Sequence, residues 1–183
     1  MTAVHVATFL SDRGNTLLID SDPNRTSQEW SRRGSLPFDV VNEKQSVRAS
    51  AGRDWIVLDT PARPRSSDLK ELAEEADLLI LPTIPDVISV DPMIQTAVDL
   101  GDAPYRALLT IVPPRPNTDG VTMHRELKGN GVPVFETMIR QTVAFKKAAL
   151  EGKPIRDLKG RDRLGWSDYH SLGKEILEIL ENG

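Results

Sequence analysis

Two short apolar runs that each close on an aspartate constrain this chain more than any other feature. The first, residues 17–24, reads Leu-Leu-Ile-Asp-Ser-Asp-Pro-Asn and ends in the carboxylates of Asp20 and Asp22. The second, residues 55–61, reads Trp-Ile-Val-Leu-Asp-Thr-Pro and contains Asp59 at its end. Uninterrupted apolar runs of this length are typical of strands that are buried on both faces of a parallel sheet. The pair therefore predicts an α/β fold built on such a sheet.

The positions of these aspartates point to a ligand site. Acidic side chains directly after such strands lie at the carboxyl edge of the sheet, where open α/β sheets bind ligands. Two strand ends of this kind favour a Mg-nucleotide site that contains Asp20, Asp22 and Asp59. The alternative is that all three are turn and helix-cap residues, roles that Asp commonly fills. One Asp-Pro turn alone would favour the alternative, whereas two similar strand ends favour the site.

Helical periodicity recurs along the rest of the chain. Apolar residues three and four positions apart mark one face of each helical segment, and the C-terminal segment is clearly amphipathic. Glycine and proline mark several of the ends. We predict helices at 2–13, within 25–35, at 67–76, at 87–100, at 118–128, within 138–150 and at 166–180.

Strand patterns alternate with these helices. This alternation predicts a doubly wound, mostly parallel sheet with right-handed crossovers and helices on both faces. A chain of 183 residues is long enough for one well-buried α/β domain, so we expect a single domain over 1–183. Prolines force a loop at 60–64. The predicted strands are 16–20, 38–41, 55–59, 77–81, 105–112 and 132–135, and residues 151–165 are predicted as a loop.

Composition excludes several kinds of chemistry. The chain has no cysteine, which rules out disulfides, thiolate catalysis, iron–sulfur clusters and cysteine-based zinc sites. His5, His124 and His170 are far apart and have no partners at metal-ligand spacing. The formal net charge is −4, so any nucleic-acid contact must come from a local basic patch. We see no signal peptide and no apolar run long enough to span a bilayer, and we expect a cytoplasmic protein.

Four motifs, taken in order, resemble one family. They are the two apolar runs, the segment at 76–82 followed by Pro85-Asp86, and the Gly-Lys-Pro-Ile segment at 152–155. Together they resemble the ParA/MinD-type deviant P-loop ATPases, most closely the small ParA-like chromosome and plasmid partition proteins. The resemblance covers nearly the whole chain and implies a P-loop NTPase-like fold.

One family motif has no counterpart here. The family opens with a strand and a Lys-Gly-Gly-x-Gly-Lys-Thr loop, and the first five residues of this chain resemble those that follow the loop. We therefore expect a sheet without its first, central strand and a chain that is inactive by itself. Either the chain is a fragment or has a misplaced start, the intact protein being an ATPase, or it is a short remnant that no longer hydrolyses ATP. Because Asp20, Asp22 and Asp59 are all present, we favour the first explanation.

The resemblance also implies roles at an ATP site. Asp59 would hold Mg²⁺ through water, Asp20 would support the metal shell, and Asp22 would orient the attacking water. Pro113 and Pro114, just past a predicted strand, would contact the adenine, although they could equally be simple strand breakers. ATP would close two subunits into a homodimer.

By the same resemblance, the dimer would bind DNA without sequence preference and associate with the nucleoid. A ParB-like or other partner protein would stimulate hydrolysis and release the dimer. A local basic cluster in the C-terminal third is our candidate for the DNA contact, and a solvated charged face is an equal alternative. Its residues are Arg140, Lys146, Lys147, Arg161 and Arg163.

Other functions in the same superfamily can be weighed. A nitrogenase-type iron protein needs cluster cysteines, which are absent. The tail at 174–181 is acidic, which disfavours a MinD-type membrane anchor on anionic lipid. A small-molecule ATP-dependent synthetase of related fold would need a substrate pocket that the sequence does not reveal. An adaptor that docks on a full-length relative is a further alternative.

Overall fold

A computed structural model of the chain describes residues 1–61 and 66–182. Two compact units divide the chain: residues 1–63 with 143–173, and residues 64–142 with 174–183. Strands and helices alternate in both units, and the strands that pair do so in parallel. The predicted α/β class is therefore confirmed. No helix among the described residues has the length and hydrophobicity needed to cross a membrane.

A three-stranded parallel sheet forms the centre of the first unit. The strand order is β2-β1-β3, and all five residues of β1 are buried, as an uninterrupted apolar run requires. The elements are α1 (Thr2–Leu10), β1 (Thr16–Asp20), α2 (Thr26–Arg33), β2 (Asp39–Asn42), α3 (Glu43–Ala49), β3 (Trp55–Asp59), α7 (Ala144–Glu151), two 3-10 turns (Ile155–Asp157 and Gly160–Gly165) and the start of α8 (Trp166–Asn182).

β3 lies at one side of this sheet. Within 1–61 and 66–182 its only strand partner is β1, so its other edge has no strand beside it. Ile56 and Leu58 are exposed, whereas β1 in the middle of the sheet is completely buried. The residues of β3 are thus as apolar as those of a central strand, but the strand is exposed to solvent like an edge strand.

An aromatic cluster around His5 joins α1 to the segment after α7. The His5 ring stacks on Tyr169 with centroids 4.6 Å apart, and the rings of Trp30 and Phe145 meet it edge-on. His5 Nδ1 donates to the Met1 carbonyl at 3.0 Å, and Nε2 accepts from the Ile155 N–H at 3.3 Å. The Gly-Lys-Pro-Ile motif at 152–155 is therefore held against the first helix.

The second unit has a two-stranded parallel sheet and three helices of its own. Its core contains Val90, Met93, Leu109 and Leu127. A single parallel bridge joins Ala107 to Val134, where the sequence predicts a strand at 132–135. The elements are α4 (Ser66–Glu75), β4 (Leu79–Thr83), α5 (Val87–Leu100), β5 (Tyr105–Leu109) and α6 (Asp119–Gly129), with residues 174–182 of α8.

Several local predictions were wrong. β4 starts two residues later than predicted and includes Pro82, which edge strands tolerate because fewer ladder donors are needed. α3 was not predicted, although Asn42 and Gln45 have the spacing of a capping box and the Asn42 N–H donates to Gln45 Oε1 at 3.5 Å. Two 3-10 turns occupy the predicted loop at 151–165. The predicted loop at 60–64 lies partly outside the described residues.

Candidate functional site

Asp20 is completely buried at the end of β1, where the strand meets the start of α2. Its Oδ1 accepts a hydrogen bond from the Asp22 N–H at 3.2 Å, and its Oδ2 accepts from the Gln28 N–H at 3.0 Å. The carboxylate therefore satisfies a backbone donor in the first turn of α2 and neutralises the positive end of that helix. For Asp20 this is the helix-cap role that the sequence analysis gave as the alternative to a ligand site.

Asp59 lies beside Asp20. The two residues are register partners in the β1–β3 ladder, and the Ser21 N–H continues the ladder by donating to the Asp59 carbonyl at 2.8 Å. Asp59 Oδ2 accepts a short hydrogen bond from the Ser27 hydroxyl at 2.5 Å, and Ser27 is itself buried in the first turn of α2. The parallel sheet thus brings together two carboxylates that are 39 residues apart in sequence.

Asp22 is more accessible than Asp20. Its Oδ1 accepts from the Asn24 N–H at 2.8 Å, which forms a local Asx turn before α2. Arg25 follows in the left-handed region, with φ of 52°, and its guanidinium donates to the Asp20 carbonyl and to Glu43 Oε2 at 3.0 Å. Asp22 is thus held at the rim of the same strand end.

Ser27 and Arg25 were missed by the sequence analysis. Neither belongs to a motif with a recognisable spacing relative to Asp59. Their positions depend on how α2 packs over the ends of β1 and β3, and the only local signal is that both lie at the start of a helix that follows an Asp-Pro turn.

The oxygens at this strand end fit Mg²⁺ bound together with nucleotide phosphates. Such an ion keeps several waters and takes one or two carboxylates from the protein. Among the described residues no group donates to Oδ1 of Asp59, so this oxygen is available to a metal-bound water, whereas each oxygen of Asp20 already accepts a backbone N–H. The described part of the chain contains no cluster of three His, Asp or Glu side chains that could hold a metal by itself.

The proposed adenine contacts lie in the second unit. Pro113 is half-buried and Pro114 is exposed, four and five residues past the end of β5. Val112, just before them, exchanges backbone hydrogen bonds with the segment around Arg140. β5 ends at Leu109, three residues before the strand end predicted from the sequence, so the two prolines do not directly follow the strand.

The candidate DNA-binding cations divide between the units. Lys146 on α7 and Arg161 and Arg163 in the second 3-10 turn are exposed in the first unit. Lys147 donates to Asp162 at 2.6 Å, and this hydrogen bond raises the pKa of Lys147. Arg140 is exposed and belongs to the second unit.

This chain is similar in sequence to a known protein. The chain is 35% identical over 186 residues to the maintenance of carboxysome distribution protein A (McdA) of Gloeobacter kilaueensis, a match that covers 96% of this chain and 86% of that protein. No protein-family model matches the chain.

Solved structures show the same fold. A plasmid partition protein from Borrelia burgdorferi bound to AMPPNP superposes with a TM-score of 0.67 at 18% identity, covering 99% of this chain and 92% of the other. Apo McdA from Cyanothece also gives 0.67, at 16% identity, with coverage of 98% and 92%. These findings define an α/β protein of the P-loop NTPase fold. The chain belongs to the ParA/MinD-type family of deviant P-loop ATPases, and its relatives include McdA.

Proposed function

We propose that this protein is a ParA-type positioning ATPase that uses ATP-dependent dimerisation and non-specific DNA binding to distribute an intracellular cargo. The observation that carries the proposal is the pair of neighbouring strand ends, where Asp59 keeps one oxygen available beside the buried Asp20. The relationship to McdA, whose name assigns it to carboxysome distribution, favours a protein assembly such as the carboxysome as cargo.

Each aspartate has a proposed task. Asp59 would hold Mg²⁺ through water, Asp20 would support the metal shell, and Asp22 would orient the attacking water from the rim. The ion, when bound with ATP, neutralises charge on the phosphates, which is the main requirement of phosphoryl transfer. Pro113 and Pro114 are the proposed adenine contacts. The AMPPNP in the Borrelia structure supports ATP as the nucleotide.

ATP binding is tested with two proteins. The 183 residues contain no Lys-Gly-Gly-x-Gly-Lys-Thr sequence, so we expect titration calorimetry to detect no ATP binding by this chain alone. Adding a strand and a Lys-Gly-Gly-x-Gly-Lys-Thr loop ahead of Met1 should create Mg-dependent ATP binding and hydrolysis.

The role of Asp59 is tested in the extended protein. Asp59→Asn should lower hydrolysis by about 100-fold because the metal-bound water loses its charged acceptor. Asp54→Asn, which changes an aspartate just before β3 whose Oδ2 accepts the Asn15 N–H at 2.7 Å, is the matched control and should keep activity. Hydrolysis that persists in Asp59→Asn would overturn the assignment of this site.

DNA binding is proposed for the cation cluster. Lys146, Arg161 and Arg163 are exposed, and non-specific binding requires only that cations neutralise phosphates. In the extended, ATP-bound protein, Lys146→Glu with Arg163→Glu should weaken binding to a random duplex by at least about tenfold at 100 mM salt. Lys44→Glu on α3 should have little effect. Equal affinity in the double variant and the parent would refute the patch.

A second candidate is a nucleotide-free adaptor that docks on a full-length relative. The exposed Ile56 and Leu58 on β3, beside a strand edge without a partner among the described residues, favour this candidate. It predicts that the extended protein still fails to bind ATP and that the 183-residue chain binds a full-length relative instead.

Under the first candidate, the ATPase, we propose that the protein is cytoplasmic and associates with the nucleoid, and that a ParB-like or other partner protein stimulates hydrolysis.

A further inference from the structure

The Gly-Lys-Pro-Ile segment at 152–155 has no task in the proposed function, yet it is built into the first unit. Gly152 and Pro154 are buried, and Ile155 is completely buried. Gly152 caps α7 with φ of 65°, and the Gly152 and Lys153 N–H groups donate to carbonyls in the last turn of α7 at 3.3 and 3.0 Å. The segment is therefore fixed to the end of α7 by its own backbone.

α2 is attached to this segment through Trp30. The Trp30 side chain is buried, and its indole Nε1–H donates to the Lys153 carbonyl at 3.1 Å. The same ring meets His5 edge-on, and His5 Nε2 accepts from the Ile155 N–H. A buried indole N–H needs an acceptor, and here the acceptor is a main-chain carbonyl 123 residues away in sequence.

The end of α2 also meets the segment backbone to backbone. A Cβ added at Gly34 would lie 2.6 Å from the Gly152 carbonyl oxygen, and one added at Gly152 would lie against the Gly34 backbone. A side chain at either position would push the two segments apart. The two glycines therefore allow α2 to approach the end of α7 closely.

α2 is too short to fix its own position. It has eight residues, Thr26–Arg33, and its N-cap residue is Arg25, whose side chain has no acceptor for the helix N–H groups. Isolated helices of this length are not stable in water. The position of α2 therefore depends on the strand-end aspartates at its start and on the contacts of Trp30 and Gly34 with the segment.

One face of α2 makes both sets of contacts. Ser27 and Trp30 are the two buried residues of the helix and lie three positions apart, on the same face. The Ser27 hydroxyl donates to Asp59 Oδ2 at 2.5 Å, and the next N–H, that of Gln28, donates to Asp20 Oδ2 at 3.0 Å. Less than one helical turn separates Ser27 from Trp30, so a displacement at Trp30 also moves the groups that orient the two carboxylates.

We propose that Trp30, held by the 152–155 segment, is a positioning residue of the strand-end site. It fixes α2 so that the Ser27 hydroxyl occupies Oδ2 of Asp59 and leaves Oδ1 available to a metal-bound water. Misplacement of a catalytic group by about 1 Å can lower turnover by about 100-fold. The catalytic consequence rests on the proposed function, whereas the positioning of α2 is a property of the 183-residue chain without nucleotide.

Hydrogen exchange followed by mass spectrometry measures this positioning in the 183-residue chain. Trp30→Phe keeps an aromatic ring but removes the donor to Lys153, and Gly152→Ala places a methyl group against Gly34. In both variants we expect the amides of α2, that of Gln28 included, to exchange at least about tenfold faster, with the amides of β1 unchanged. Circular dichroism checks that each variant is folded.

Matched controls change the same residue types elsewhere in the first unit. Trp166→Phe alters a tryptophan at the start of α8. Gly160→Ala alters a second glycine at positive φ, where an added Cβ meets nothing within 4 Å. In both controls α2 should exchange as it does in the parent.

Turnover in the extended protein shows whether Trp30 acts through Ser27. Trp30→Phe should lower kcat by at least about tenfold and leave the KM for ATP within about twofold, because it affects the orientation of Asp59. Ser27→Ala should also lower kcat. The double variant should lose no more than Ser27→Ala alone, since residues that act through one another are not additive.

Two results would overturn the proposal. One is α2 exchange in Trp30→Phe that equals the parent, a result that decides even where Gly152→Ala fails to fold. The other is a loss of kcat in the double variant that equals the sum of the two single losses, which would assign Trp30 to general stability. If the extended parent does not hydrolyse ATP, the proposed function fails, and the exchange result still decides whether Trp30 positions α2.

Discussion

Asp20 and Asp22 are two residues apart, yet their surroundings differ. Asp20 is completely buried and accepts from two backbone N–H groups, whereas Asp22 accepts from one at an accessible turn. Loss of a buried acceptor leaves its donors without partners, which costs more than loss of an exposed one. The same strand end thus contains one carboxylate that supports the fold and one that is accessible at the rim.

This contrast predicts different stabilities for two variants. Asp20→Ala should lower the free energy of unfolding by about 1–3 kcal/mol, because the partly buried Gln28 and Asp22 N–H groups lose the acceptor that the buried carboxylate provides. Asp22→Ala should lower it by less than about 1 kcal/mol. Urea denaturation followed by circular dichroism measures both. Equal losses in the two variants would contradict the structural role assigned to Asp20.

His5 gives a second prediction, in the pH dependence of stability. Burial lowers its pKa from 6.5 to about 3, and the hydrogen bond to Met1 opposes this only partly. Between pH 6.5 and 3 the unfolded chain binds a proton at His5 that the folded chain excludes, so stability decreases as the pH falls. The slope should be about 1.4 kcal/mol per pH unit from this residue.

His5→Gln isolates that contribution. The variant should lose the part of the pH dependence that lies between pH 6 and 4, since glutamine does not titrate, while carboxylates contribute equally to both proteins. Chemical denaturation at several pH values provides the difference between the two curves. Parallel curves over this range would show that His5 is protonated in the folded protein.

At the scale of elements, α8 packs on α1 through a glycine. A Cβ added at Gly173 would lie 2.2 Å from the Phe9 ring, whereas one added at Gly129, at the end of α6, meets nothing within 4 Å. Phe9 is completely buried, with the Arg13 guanidinium 3.6 Å from its ring centroid and the His170 ring edge-on to it, so the ring has little space to move. Glycine in the middle of α8 is therefore required by helix packing rather than by backbone conformation.

Alanine substitutions at the two glycines should have different effects. Gly173→Ala should destabilise the chain by about 1–3 kcal/mol through overpacking, despite the higher helix propensity of alanine. Gly129→Ala should be neutral or stabilising by up to about 1 kcal/mol. Thermal and urea unfolding report both changes. A stabilising effect of Gly173→Ala would mean that α8 lies farther from α1 than the structure places it.

At the scale of the whole molecule, we expect the exposed β3 edge to limit solubility. Ile56 and Leu58 are exposed beside backbone groups that lack a strand partner among the described residues, which is a template for intermolecular pairing. We expect the 183-residue chain to aggregate with increasing concentration and to unfold over a broad temperature range.

A charged variant tests this expectation. Leu58→Lys should reduce light scattering at a given concentration because a lysine on an edge strand opposes pairing. Val47→Lys, at an exposed site on α3, is the control and should scatter like the parent. A sharp, cooperative and reversible thermal transition of the unmodified chain, with no aggregation, would contradict the prediction.

The strands and most helices could be predicted because their signals are local. Uninterrupted apolar runs identified β1 and β3, and periodic apolar residues identified α5 and α8. α3 was missed because its seven residues lack an apolar face and none is buried. The end of β4 was predicted too early because Pro82 was taken as a strand end, although an edge strand tolerates proline. The roles of the aspartates and of the basic cluster stay predictions.

The sequence by itself determined the parallel α/β class, the family and the order of the aspartates, since each depends on the residue pattern along the chain. Only the tertiary structure decided which oxygens are free. The Ser27 hydroxyl donates to Asp59, which is 32 residues away in sequence. Each oxygen of Asp20 accepts a backbone N–H from the turn or the helix that follows β1. The tertiary structure also brought Trp30 of α2 to the Lys153 carbonyl. Hydrogen-bond partners and exposed faces depend on packing between distant segments, which no local pattern specifies.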